Sequence, residues 1–194
     1  MGTILGIETT AGVVLAGDRR YTHDGTTASD GVQRVHDFDR AGVAAVGDPG
    51  SIRKFASRVE SELRSYETER DESMALDRLA HTTADVAADE GVDAIVAGRT
   101  ADGNAELREV GNDGGVLATE ATARGSGAAV AVGLLESGPD AEELDDVEAF
   151  ARETMATVAN RDARTGSDVD VYRLPSVDRD DATGADGRGD RDRS

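Results

Sequence analysis

The segments TILGIET and GVVLAGD, meeting at Thr10-Ala11-Gly12, constrain this chain most. Both are apolar enough for buried strands, and Gly12 supplies the positive φ that a tight reversal needs, so Thr3 to Asp18 reads as a β-hairpin. A second strand pair is expected at Val32 to Phe38 and Gly42 to Gly47, across the polar turn Asp39-Arg40-Ala41. Asp48-Pro49-Gly50-Ser51 then has the form of a helix start, and Ile52, Phe55, Val59, Leu63 and Tyr66 recur at helical spacing. Ser73 is the expected cap of a second helix, whose stripe runs through Met74, Leu76, Leu79, Thr83, Val86 and Ala87 to about Asp89.

Strands resume at Val92 to Gly98, Ala105 to Val110 and Val116 to Thr119, with Asp102-Gly103 and Asp113-Gly114-Gly115 as turns. Helices are expected over Ala128 to Ser137 and Ala141 to Asn160, and a last strand over Val169 to Leu174. Two groups of strands, each followed by two helices, suit an α+β fold. The expected form is a four-layer α-β-β-α sandwich of two antiparallel sheets flanked by helix pairs. Periodicity alone does not separate this from an α+β domain with one mixed sheet. One domain is expected over 1–177, followed by an acidic disordered tail at 178–194 that holds no apolar residue beyond alanine. Its Arg188-Gly189-Asp190 triplet is what such a composition yields by chance.

The chain carries 40 acidic and 21 basic residues, a formal charge of -19, and Lys54 is its only lysine. Nucleic-acid phosphates and anionic membranes would be repelled, so neither is an expected partner. The acid excess and the lack of lysine resemble proteins that work in molar salt, where the Debye length falls to about 3 Å and self-repulsion is screened. With no cysteine there is no disulfide, thiolate metal site or thiol nucleophile. His23, His36 and His81 have no ligand spacing, so no metal and no cofactor is expected. No run approaches the roughly 20 apolar residues of a membrane span. The N-terminus has no signal-peptide pattern, and a cytoplasmic location is expected.

Several motifs together carry a family resemblance. They are GIETTAGVVLAGDRR, Arg34-Val35-His36, the strand ending in Gly47, Arg124-Gly125-Ser126-Gly127, Gly133-Leu134-Leu135-Glu136-Ser137, and Asn160-Arg161-Asp162-Ala163-Arg164-Thr165-Gly166. In this order and spacing, over about residues 2–174, the chain resembles the proteasome β-subunit family. That resemblance implies an N-terminal-nucleophile hydrolase fold and assembly with α- and β-type subunits in stacked rings. In active members it also implies cleavage of unfolded polypeptide by an N-terminal threonine whose own amine takes the hydroxyl proton.

Carried over by motif, the site's acid falls on Asp18, its serine on Ser126, its second aspartate on Asp162, and a further hydroxyl, usually serine, on Thr165. The oxyanion-hole glycine falls on Gly47 after allowing one deleted residue in the preceding turn. Active members carry the nucleophile sixteen residues before the acid and a lysine sixteen after it; here those positions hold Gly2 and Arg34. Glycine has no hydroxyl, and arginine keeps its proton in proteins. A slip of one residue would make Thr3 the nucleophile behind a glycine cleavage point, but it would turn the strand's side chains to the wrong faces. The resemblance is closest to Met-starting, non-catalytic ring members. Two alternatives stay open: an active threonine peptidase with Thr3 exposed, and a free-standing or self-assembling pseudo-enzyme of the same fold that binds a partner or ligand in the old cleft.

Overall fold

The computed structural model describes residues 1–139 and 143–176. The expected tail lies outside the described residues. So does the start expected for the last helix, Ala141.

The opening hairpin forms as β1 (Thr3–Thr9) and β2 (Gly12–Asp18), paired from Ile4 opposite Gly17 to Thr9 opposite Gly12. Gly12 has φ +140, and a Cβ there would lie 2.2 Å from the Leu174 carbonyl oxygen, so the turn requires glycine. A short ribbon follows, β3 (Tyr21–His23) with β4 (Thr26–Ser29), then β5 (Val35–Asp37), β6 (Gly42–Val46), α1 (Pro49–Arg70) and α2 (Leu76–Glu90). The second half holds β7 (Asp93–Arg99), β8 (Ala105–Val110), β9 (Val116–Ala118), β10 (Ala121–Gly125), α3 (Ala128–Leu135), α4 (Leu144–Arg161) and β11 (Val169–Pro175).

Two sheets result, β10-β1-β2-β11 and β5-β6-β7-β8-β9, with every strand pair antiparallel. Side-chain alternation sorts the core into three layers. Ile4, Val13, Leu15, Tyr172 and Leu174 meet Val46, Ile95 and Leu107 between the sheets. Leu5, Ile7, Val14 and Ala16 face the other way, onto Ala131 and Leu135 of α3 and Val147, Ala151, Met155 and Val158 of α4. On the far side, Val43, Ala45, Ala94 and Val96 pack under α1 and α2. This is the expected α-β-β-α sandwich. β2 has helices on one face and a second sheet on the other, which is why GVVLAGD is buried at every position.

The helix ends follow local chemistry in one case and depart from it in another. The Asp48 carboxylate accepts the Gly50 N–H at 2.9 Å, and Pro49 opens α1. Ser73 does not cap α2: the helix begins after Ala75 without a side-chain cap, and the Ser73 hydroxyl instead accepts from Arg40 Nη1 at 2.9 Å. Two further differences bear on the site. β5 is shorter than expected because the chain before it runs back along the end of β2, with the Val32 N–H donating to the Arg19 carbonyl at 2.9 Å. β10 was not expected, since Ala-Thr-Ala-Arg-Gly has little apolar alternation. It forms by pairing with β1, Thr3 opposite Gly125 and Ile7 opposite Ala121.

Candidate functional site

The ends of β1, β2 and β10, the residues before β5 and the turn after α4 converge on Asp18. Its side chain is fully buried and its two oxygens collect three main-chain donors: the Thr3 N–H on Oδ1 at 2.7 Å, and the Arg20 and Gly166 N–H groups on Oδ2 at 2.9 and 2.7 Å. Arg34 adds a fourth contact, Nε to Asp18 Oδ1 at 3.3 Å, and its Nη2 donates to the Arg20 carbonyl at 2.6 Å. Arg34 is 0% exposed, and its Nη1 has no hydrogen-bond partner among the described residues. Burial pulls the Arg34 pKa down from its ordinary value, and the Asp18 charge opposes that fall. The reference value of an arginine is so high that the group stays cationic.

Gly2 precedes β1 and is buried beside this pair. Its carbonyl accepts the Ser126 N–H at 3.1 Å, an extension of the β1–β10 pairing. Position 2, not position 3, therefore lies against Asp18 and Arg34. Thr3 turns its hydroxyl to the other side, where Oγ1 accepts the Gly127 N–H at 2.9 Å and lies 2.7 Å from Thr165 Oγ1.

Thr165 Oγ1 donates to Asp162 Oδ2 at 2.7 Å, so the proton between the two threonines comes from Thr3. A directed chain results: the Gly127 N–H to the Thr3 hydroxyl, to the Thr165 hydroxyl, to the Asp162 carboxylate. Ser126 Oγ lies 2.5 Å from Asp162 Oδ2 and 2.5 Å from the Met1 carbonyl oxygen, and its single proton serves one acceptor at a time. Partial burial alone would raise the Asp162 pKa. The Ser126 and Thr165 hydroxyls, the Arg164 N–H and the Arg164 charge outweigh it and leave the carboxyl below its ordinary value.

Seven of the eight positions read from the sequence are thus in one connected cluster: Gly2, Thr3, Asp18, Arg34, Ser126, Asp162 and Thr165. Gly47 stands apart from these hydrogen bonds, at the end of β6 beside the Asp48 cap of α1. It is tied to the cluster through the β6 main chain, where the Ala45 N–H donates to the Arg34 carbonyl at 2.9 Å. Sequence reading did not single out Arg20, Gly127 or Gly166, which supply the main-chain groups that fix Arg34, Thr3 and Asp18. All three stand inside the motifs quoted above, and that membership was the only signal. No group of three or more histidine, aspartate or glutamate side chains is placed to hold a metal among the described residues.

Comparison with known proteins identifies the family. Residues 1–174 match the family model described as proteasome subunit. The chain belongs to the proteasome subunit family. It is 27% identical over 173 residues to a proteasome subunit beta of Halorubrum lacusprofundi, covering 87% of this chain and 71% of that one. It is 32% identical over 171 residues to a proteasome subunit beta of Halorhabdus utahensis, covering 85% and 72%. The proteasome subunit beta 1 of Staphylothermus marinus is 26% identical over 179 residues, with 89% and 84% covered.

Proposed function

We propose that this chain is a β-type proteasome subunit that takes its place in a ring with other proteasome subunits and has no peptidase activity of its own. One observation carries the reading: the position beside Asp18 and Arg34 is Gly2, which has no hydroxyl. The Thr3 hydroxyl is fully buried and engaged at both ends. An acyl-enzyme needs an oxygen nucleophile with a base in reach. With Gly2 in place, the Thr3 hydroxyl is buried and its nitrogen is a peptide N–H bonded to Asp18 at 2.7 Å. Through their hydroxyls and carboxylate, Ser126, Asp162 and Thr165 tie β1, the end of β10 and the end of α4 together.

The domain is assigned to residues 1–177, an assignment supported by one sandwich built between Thr3 and Pro175, with the β3–β4 ribbon outside its two sheets. Work at high salt is supported by the charge of -19 and by relatives such as that of Halorubrum lacusprofundi. The test is incubation of the purified protein, in molar salt, with fluorogenic peptides and an electrophilic peptide inhibitor, followed by intact mass. No turnover and no adduct are expected, together with co-purification of other proteasome subunits from the native source. A covalent adduct on Thr3 would overturn the inactive reading in favour of the active threonine peptidase. A monomer that captures no subunit would overturn the ring role.

A further inference from the structure

A Cβ built on Gly2 falls 2.1 Å from Asp18 Oδ1 and 2.7 Å from both Nε and Nη2 of Arg34. Contacts this short do not occur, so a side chain at position 2 needs its neighbours to move. Both are restrained. Asp18 is held by the Thr3, Arg20 and Gly166 N–H groups, and Arg34 is enclosed with its Nη2 on the Arg20 carbonyl.

We infer that Gly2 and Arg34 are one interlocked feature: the guanidinium, braced by Asp18 and the Arg20 carbonyl, occupies the space that a side chain at position 2 requires. Arg34 and Asp18 Oδ1 together fill that space, and Asp18 Oδ1 is the nearer of the two. No single substitution at position 2 restores a hydroxyl in place. The chemistry of the head group explains why. Arginine ends in a planar fork of three nitrogens, two of which border position 2, whereas lysine ends in one compact nitrogen on a flexible stem. A lysine at position 34 vacates part of that volume. It also loses the Nε contact on Asp18 Oδ1, which leaves that oxygen on the Thr3 N–H and freer to shift. The inference deepens the reading of an inactive site and rests on it only in treating position 2 as the nucleophile's place.

The test is a double-mutant cycle in molar salt on the full chain: the unmodified protein, Gly2→Ala, Arg34→Lys, and both together, each followed by thermal unfolding. Gly2→Ala is expected to lower Tm by roughly 5 °C or more, the size of an overpacked buried position. In the Arg34→Lys background the same substitution is expected to cost less than half as much. A Gly2→Ala protein that fails to fold while the double variant folds supports the interlock equally. A Gly2→Ala loss within about 1 °C, an equal loss in both backgrounds, or a double variant that fails to fold while Arg34→Lys folds would each overturn it. Peptide hydrolysis by the unmodified protein is a separate outcome: it would sink the inactive reading and leave this packing result standing.

Discussion

The main-chain N–H of Thr3 donates to Asp18 Oδ1 at 2.7 Å, and this bond fixes the register of the whole site. Along an extended strand, a residue whose amide faces Asp18 turns its side chain away from it, and the residue before it faces Asp18 instead. The pairing of Thr3 with Gly125 and of Ile4 with Gly17 holds β1 in that register from both sides. A slip to bring Thr3 against Asp18 would move Ile4 from between the sheets and Leu5 from beneath α4. Burying an aliphatic side chain is worth about 1.5–3 kcal/mol, so the slip is opposed by several such residues.

The Thr3 hydroxyl is therefore expected to matter for stability and not for hydrolysis. Thr3→Val keeps the shape but leaves the buried Gly127 N–H without its acceptor and removes the donor to Thr165. A cost of about 1–3 kcal/mol is expected in denaturant unfolding, with Thr3→Ser recovering most of it. Peptide turnover should stay at the blank level in all three proteins. Turnover that disappears on Thr3→Val would reassign the residue as a nucleophile.

The Asp18–Arg34 pair predicts an asymmetry. Asp18→Asn leaves the enclosed Arg34 cation without a counter-charge, for which a loss of about 3–5 kcal/mol is expected. Arg34→Leu leaves Asp18 with three main-chain N–H donors, a setting in which a carboxylate is well stabilised, so the loss should be the smaller, about 1–3 kcal/mol. Chemical denaturation of the two variants decides the order, and a larger loss for Arg34→Leu would show that the main-chain donors are not what holds Asp18.

How much of this was legible beforehand follows from where each signal resides. β1 and β2 were legible because TILGIET and GVVLAGD are locally apolar with a glycine between them. The places of Gly2, Asp18 and Arg34 followed from the family resemblance, by counting sixteen residues to either side of the acid at Asp18. β10 was not legible, because Ala121 to Gly125 acquires its strand from β1 and not from its own pattern. The polar β3–β4 ribbon was missed for the same reason: Thr26 to Ser29 is exposed throughout and has no apolar face to display. Ser73 looked like a cap because serine before an apolar stripe usually is one. A tertiary partner, Arg40, took its hydroxyl. The proton chain through Thr3 and Thr165 joins residues 162 positions apart, beyond the reach of any local pattern.

The surface charge makes a prediction about salt. Most of the ion pairs among the described residues have an exposed partner, such as Arg58 with Asp89 and Arg64 with Glu60, and such pairs contribute little. With 40 acids against 21 bases, the net repulsion dominates in dilute buffer. Raising KCl from about 0.1 M to 1 M shortens the Debye length from about 10 Å to 3 Å and should raise Tm steadily. A Tm that is flat or falls across that range, read by differential scanning fluorimetry, would remove the argument that the acidity is an adaptation to salt.

Asp162 supplies the pH dependence that can be assigned to this site. Its folded pKa lies below the ordinary 3.8, held there by the Ser126 and Thr165 hydroxyls and by Arg164 against the opposing effect of burial. A depressed folded pKa means that the unfolded chain binds the proton first as pH falls. The contribution of Asp162 is thus complete above 3.8 and is lost as pH drops through the folded value. Thr165→Val removes one donor to the carboxylate, moves its pKa back upward and shrinks that contribution. The stability difference between the unmodified protein and Thr165→Val should therefore be largest near neutral pH and narrow below about 3.8, as the carboxylate is protonated in both. Unfolding titrations of the two proteins at constant high salt measure it. A difference that widens as pH falls would mean that Thr165 does not act on Asp162 in its charged form.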